Sequence, residues 1–297
     1  MFRCNKLWTI LAAVLVLFAC QKERSALNDR ELTFTATIDG PQTRTSLDGT
    51  KVVWNAAEEI NIFYGASAGS RFVSSNTEPS LTVTFSGTLT AFTGTTEEGE
   101  VNSFWAVYPY NEGNSSDGTG VTAYLPESQA GVPNNIPDKA MVMVAKTPGL
   151  ALPFKQVCAL LKVTVDTPGI EKIEIRGNDD EKISGSIFIQ MDSQGLPEWQ
   201  DDGTDDGKVI KLAPASGTTF EEGETEYYLA LLPQEFSAGF TMTCYTTDKK
   251  GSYSTAAVTF GRNQVKKVST GKVTEWTARY GSNLEPVDGY DDPDINW

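Results

Sequence analysis

Residues 31–38 read Glu-Leu-Thr-Phe-Thr-Ala-Thr-Ile. Leu32, Phe34, Ala36 and Ile38 fall on one side of an extended chain, and Thr33, Thr35 and Thr37 on the other. Side chains alternate across a strand with a period of two, so this stretch predicts a β-strand with one apolar face. The same alternation marks Val52–Trp54, Ile60–Tyr64, Leu81–Phe85, Ser103–Tyr108, Val121–Leu125 and Met141–Ala145. Gly-, Asn-, Asp- and Ser-rich turns separate these runs, as in GASAGS and NEGNSSDGTG. A seam falls at Thr147-Pro148-Gly149, and the strand PFKQVCALLKVTV starts at Pro153. Strands are expected again at Ile170–Ile175, Ile183–Gln190, Lys208–Leu212, Tyr227–Leu232, Phe240–Tyr245, Ser252–Phe260 and Val265–Thr277. No amphipathic helix longer than two turns is evident. Many short strands with turn punctuation predict an all-β sandwich or barrel.

The 297 residues exceed one ordinary sandwich and suit two domains. Residues 31–150 and 151–280 are the expected units, the second without evident sequence repetition of the first. Hydrophobic residues make up 39% and charged residues 21%, enough apolar mass for packed cores. The chain carries 39 acidic against 24 basic residues, a net charge of −15, which argues against nucleic acid as a partner. It contains no histidine. Histidine-assisted Ser or Cys nucleophiles, histidine acid–base catalysis and histidine-ligated zinc are therefore excluded.

The N-terminus reads as an address. Arg3 and Lys6 precede an apolar run from Leu7 to Phe18, too short to span a bilayer and suited to a signal peptide over residues 1–19. Leu17-Phe18-Ala19-Cys20 resembles the lipobox of bacterial lipoproteins. That resemblance implies cleavage before Cys20 and lipid attachment to it, with residues 20–30 as a polar tether. Each buried acyl CH₂ adds about 0.8 kcal/mol of membrane affinity, so several chains hold a soluble body at an outer-membrane surface. Of the remaining cysteines, Cys158 and Cys244 lie in predicted strands. Export permits a disulfide, but two separate buried thiols are the expectation. Residues 281–297 hold five acids and no base, and read as an extended acidic tail, anchored by Trp297.

Other motifs carry less. Gly65-Ala66-Ser67-Ala68-Gly69 matches the G-x-S-x-G elbow, which needs a following helix and a histidine, so a hairpin loop is expected instead. Asp202 to Gly207 spaces oxygen ligands like a calcium loop. Ala213 stands where the bidentate glutamate belongs, so an exposed acidic turn is expected. No cofactor or metal is predicted. Trp54, Trp105 and Trp276 read as core, whereas Trp199 and Trp297 sit in polar loops that could form a sugar platform. Paired carboxylates for glycoside hydrolysis are too abundant among 39 acids to point anywhere.

Thr43-Arg44-Thr45-Ser46-Leu47, followed by Val52-Val53-Trp54-Asn55 and Glu59-Ile60-Asn61-Ile62-Phe63, resembles the opening of fimbrillin-like proteins, the lipoproteins of type V pili. Ala106-Val107-Tyr108-Pro109-Tyr110 resembles the family's aromatic–proline strand end. Tyr124-Leu125-Pro126 with Gln129 resembles its Leu-Pro turn, and Leu152-Pro153-Phe154-Lys155-Gln156 the start of its second domain. Gln156 stands where the family often has histidine. The resemblance implies two tandem transthyretin-like Greek-key sandwiches and a non-enzymatic pilus subunit or adhesin. It further implies protease-triggered strand exchange: an arginine-specific cut in the loop after the first strand, here between Arg44 and Thr45, releases that strand. A strand from a neighbouring subunit then fills the groove. Val265–Tyr280 is the expected donor, and the non-alternating tail a poor one. Arg24 and Arg30 are competing cuts that would free the lipid without opening a groove. The expected partners are other pilus subunits, the outer membrane and a host or glycan ligand. A glycan-binding surface lipoprotein that never polymerises is the alternative.

Overall fold

The computed structural model describes residues 29–38, 47–48, 51–90, 103–137 and 139–279. Cys20, Arg44, Thr45, the signal segment, most of the tether and residues 281–297 with Trp297 lie outside them. Among the described residues the architecture is β throughout, apart from one 3-10 turn, Thr270–Lys272.

Seven strands close a barrel. Its order is Arg30–Ile38, Ala151–Gln156, Met143–Thr147, Phe104–Tyr108, Glu59–Tyr64, Ser70–Ser74, Thr82–Leu89, and back to Arg30–Ile38. The inward positions are bulky and apolar, which fills a barrel this small without leaving a channel. Trp54 sits at the centre, edge-on to Phe85, Tyr108 and Phe154 at 5.2, 5.4 and 5.2 Å.

Ala151–Gln156 lies beyond the expected boundary at residue 150, yet it pairs within this barrel. Leu152 and Phe154 alternate into the core around Trp54, which fixes that strand's face. The chain then passes through buried Val157 and Cys158 into Ala159–Thr164, the middle strand of a three-stranded sheet with Glu226–Leu231 and Val265–Ser269. The run expected as one strand from Pro153 is thus two strands in two sheets.

A six-stranded sheet faces the three-stranded one. Its order is Ser128–Ala130, Val209–Ala213, Lys172–Gly177, Phe240–Tyr245, Lys249–Ser254, Trp276–Ala278. Ile173, Ile175, Met242 and Cys244 of the larger sheet share one core with Leu161, Val163, Leu229 and Leu231 of the smaller, making a sandwich. A third, five-stranded sheet spans both blocks. Val121–Leu125 pairs with Gly185–Met191, and Val121, Ala123 and Leu125 pack with Ile187 and Ile189. The Leu-Pro turn explains part of this linkage. Buried Gln129 donates through Nε2 to the Pro126 and Ala230 carbonyls at 3.0 and 2.8 Å, and its Oε1 accepts from Ala230 N at 2.8 Å. One amide side chain thereby stands in for a strand residue beside Glu226–Leu231.

Candidate functional site

The strand that decides the sequence reading also closes the barrel. Along Thr82–Leu89 it runs antiparallel, from Arg30 opposite Leu89 to Thr37 opposite Thr82. Along Ala151–Gln156 it runs parallel, from Thr35 opposite Ala151 to Ile38 opposite Phe154. Its two neighbours do not pair with each other, so the strand occupies a seam between them. Thr35 N donates to the Leu150 carbonyl at 2.9 Å, where the parallel ladder begins.

The expected slot for four apolar side chains is uneven. Phe34 and Ala36 are fully buried, whereas Leu32 and Ile38 pack from the rim of the core. Phe34 stands edge-on to Phe72 and Phe104 at 5.5 and 5.1 Å. The threonine face is exposed, with the hydroxyls of Thr33 and Ser86 2.9 Å apart. The strand therefore presents one deep aromatic knob, one small filler and a polar back. Burying a Phe side chain contributes about 1.5–3 kcal/mol, so Phe34 dominates the side-chain contribution. The flanking strands supply the rest as ladder hydrogen bonds.

The other predicted features resolve as follows. Ser67 lies in a short strand, Ala66–Ala68, opposite Ser116, and no helix follows it, so the G-x-S-x-G match is not a nucleophile elbow. The expectation of a loop there is also corrected, because the residues pair as a strand. The Asp202–Gly207 turn already holds a cation, the ammonium of Lys182. Lys182 Nζ lies 2.8 Å from Asp202 Oδ1, 2.9 Å from Asp206 Oδ1, 3.3 Å from Asp201 Oδ1 and 2.7 Å from Thr204 Oγ1. Its side chain is 6% exposed. Burial by itself would raise the pKa of Asp202 and lower that of Lys182, but their hydrogen bonds prevail. Asp202 ends well below the usual carboxylate range, Asp206 below its ordinary value, and Lys182 above its own. Gly207 closes the turn at φ +75° with its backbone against Ser184, where a Cβ would meet the Ser184 carbonyl oxygen at 2.0 Å. The sequence signal that was missed is Lys182 itself, about twenty residues upstream of the acids it joins.

Trp199 is not an exposed platform. It is half-buried against the shared core, and its indole N–H donates to the Pro233 carbonyl at 2.9 Å. Trp54 and Trp105 are core residues. Cys158 and Cys244 are free, buried in different cores, and burial pushes both thiols up to about 12. The donor expected over Val265–Tyr280 is not one strand. Val265–Ser269 pairs in parallel with Ala159–Thr164, the 3-10 turn interrupts it, and Trp276–Ala278 joins the other sheet. Gln156 is buried with neither side-chain amide atom hydrogen-bonded among the described residues, while its carbonyl accepts from Arg262 at 3.1 Å.

No protein-family model and no curated protein sequence matches this chain. Solved structures similar to it include a candidate cell adhesion protein from Bacteroides uniformis, at 14% identity over 84% of this chain and 96% of that one, TM-score 0.44. A second from Bacteroides ovatus is 12% identical over 84% and 97%, TM-score 0.46. A fimbrial assembly protein from Parabacteroides distasonis is 10% identical over 85% and 100%, TM-score 0.38. These scores are too low for function to be carried across, so the functional reading rests on this chain's own residues and pairings.

Proposed function

We propose that this chain is a non-enzymatic, fimbrillin-like surface lipoprotein, tethered through Cys20 to the outer membrane, that joins pilus subunits or an adhesive fimbria by strand exchange. One observation carries the reading. Arg30–Ile38 fills a seam whose two walls do not pair with each other, so its departure would leave two unpaired strand edges and an aromatic-lined slot. Such an edge recruits another strand when one is offered. The segment after that strand holds Arg44, so a cut there would sever the plug from the body.

Orientation restricts the incoming strand. It runs antiparallel to Thr82–Leu89 and parallel to Ala151–Gln156, with a large apolar residue at the Phe34 position and a small one two residues later. Trp199 is half-buried, so of the two tryptophans that favoured a glycan-binding alternative it makes a poor platform, while Trp297 lies outside the described residues. The test is trypsin-like digestion of the purified protein. Cleavage between Arg44 and Thr45 should convert monomer into a ladder that survives mild denaturant, and Arg44→Ala should stay monomeric. Complete cutting with no ladder, or a ladder from the uncut variant, would overturn the assembly reading.

A further inference from the structure

A second groove lies in the sandwich, away from the barrel seam. It is about 390 Å³ in volume, at the small end of the range of ligand sites. It opens between the strand Val265–Ser269 and the end of Lys249–Ser254. Its lining is mainly apolar: Leu161, Phe240, Phe260 and Val268 are buried there, with Tyr253 and Val258 half-buried beside them. The rings of Phe240 and Phe260 pack with centroids 6.0 Å apart. The polar groups are few, and two of them are already engaged. Thr255 Oγ1 accepts from Phe240 N at 3.0 Å, and Ser269 Oγ donates to Asp166 and accepts from Gly271 N at 2.9 Å. The ammoniums of Lys266 and Lys272 make no ion pair, and the Tyr253 hydroxyl no hydrogen bond, among the described residues. Among those residues no acid lines the groove, although the chain holds 39 acids against 24 bases.

Strand alternation decides which lysine serves the groove. Val268 enters the sandwich core, so Lys266, two residues earlier, shares its inward face. Lys267 faces the other way, close enough to Glu226 to favour the charged form of that acid. Lys266 is therefore a half-buried cation on the inner face of a strand that has no second neighbour among the described residues. An inward-pointing charge is one device by which natural sheet edges refuse an added strand. A peptide laid along this edge would have to displace it. A slender chain with one charged end needs no hydrogen-bond ladder, and it meets an apolar floor with a cation beside it. Burial favours its apolar body, and a carboxylate receives a charge-assisted hydrogen bond from the ammonium. The small volume suits one such chain and excludes a patch of bilayer.

We infer that this groove binds a single-chain amphiphilic acid, with its alkyl body on Phe240, Phe260 and Val268 and its carboxylate on Lys266. Lys272 adds a second positive charge along the groove. The site belongs to the sandwich alone and does not depend on release of Arg30–Ile38.

The test titrates the purified full chain with laurate below its micelle-forming concentration, read by calorimetry. Dodecanol and dodecyltrimethylammonium serve as neutral and cationic counterparts, and anionic phospholipid vesicles as the membrane source. The expected result is saturable binding of one laurate per chain, with a diazirine-bearing laurate labelling residues 253–268. Lys266→Met should weaken laurate about tenfold and leave dodecanol unchanged, since it removes the charge and keeps an apolar stem. Val258→Trp, which fills the groove, should block both, and thermal melting shows that each variant is folded. Several results would overturn the inference: no saturable binding, more than one equivalent bound, labelling elsewhere, or equal affinity for dodecyltrimethylammonium. Binding to vesicles alone would assign the lysines to a membrane surface instead. Laurate affinity unchanged in Lys266→Met would leave that lysine only as a guard against strand addition. The result is independent of Arg44 cleavage, so it stands or falls apart from the assembly reading.

Discussion

The barrel and the sandwich use the same pairing and finish it differently. In both, the first strand lies parallel to one from the end of its block: Arg30–Ile38 beside Ala151–Gln156, and Ala159–Thr164 beside Val265–Ser269, which only the short strand Trp276–Ala278 follows. In the barrel the last strand has a second neighbour, Met143–Thr147, and the sheet closes on itself. In the sandwich Val265–Ser269 has no second neighbour among the described residues, and a groove remains beside it. The two first strands also differ in attachment. Ala159–Thr164 follows Ala151–Gln156 after two buried residues, so no cut can free it. Arg30–Ile38 directly follows the polar stretch 21–29 and precedes the segment that holds Arg44. On the proposed strand exchange, cleavage after Arg44 would release the strand that closes the barrel, whereas the matching strand of the sandwich is continuous with the barrel on its N-terminal side.

The sharpest way to break this comparison is to weaken each first strand at its buried centre. Phe34→Ala should cost about 3–5 kcal/mol, since it deletes a fully buried ring with two aromatic neighbours. Leu161→Ala should cost about 2–5 kcal/mol in denaturant unfolding. The difference lies in rescue. A synthetic peptide of residues 29–39 should restore stability to Phe34→Ala, because its seam can admit a replacement strand. No peptide of residues 158–165 should restore Leu161→Ala. Equal rescue, or rescue of neither, would mean that the first strand is no more replaceable than the second.

Gln129→Ala tests the linkage between the two regions. It leaves the Ala230 N–H and carbonyl without their side-chain partner, and each buried unsatisfied group costs about 1–3 kcal/mol. A loss of about 2–4 kcal/mol in a single unfolding transition would show that barrel and sandwich melt together through their shared sheet. Two separated transitions would show that Gln129 is the principal coupling.

Part of the barrel was legible in the sequence because strands such as Arg30–Ile38 and Thr82–Leu89 are half-exposed and alternate, whereas Glu59–Tyr64 and Phe104–Tyr108 are buried on both faces and show only as short apolar runs. The crossing at Val157-Cys158 was not, because a continuous apolar run has the same pattern whether it stays in one sheet or changes sheets. The broken Val265–Thr277 run failed for a related reason: a 3-10 turn of Thr-Gly-Lys leaves little trace in the apolar pattern. At the candidate site, the slot and its position were readable, but its depth was not. Phe34 and Leu32 look alike in sequence, and only the curvature of the barrel places one at the centre and the other at the rim. The Lys182 cluster was hidden because a lone lysine carries no spacing signal, and its acids resembled a metal loop.

That cluster offers a pH test confined to the sandwich side. Lys182→Met should cost about 2 kcal/mol near neutral pH, because the acids lose their shared cation while two of them stay partly solvated. The lowered pKa values of Asp202 and Asp206 mean that their contribution is complete above the ordinary carboxylate range near pH 4 and is lost as pH falls below it. The raised value of Lys182 means that its contribution is lost only above its ordinary value near pH 10.5. The gap between Lys182→Met and the parent protein, read by thermal melting, should therefore be flat from pH 5 to pH 9 and narrow below pH 4. A gap unchanged in acid would mean that the ammonium serves packing and not charge.

The smallest effect concerns the point where barrel passes into sandwich. Gln156 ends Ala151–Gln156 with its amide buried and unbonded among the described residues, and two residues later the chain enters Ala159–Thr164. A buried amide without a partner is destabilising, and an apolar side chain of similar volume removes that cost while keeping the packing. Gln156→Met should therefore raise stability by about 1 kcal/mol, measured by urea unfolding with an unchanged m-value. If stability falls instead, the amide holds a water or a group that the junction needs, and the division between a removable first strand and a fixed one would depend on a polar hinge at Gln156.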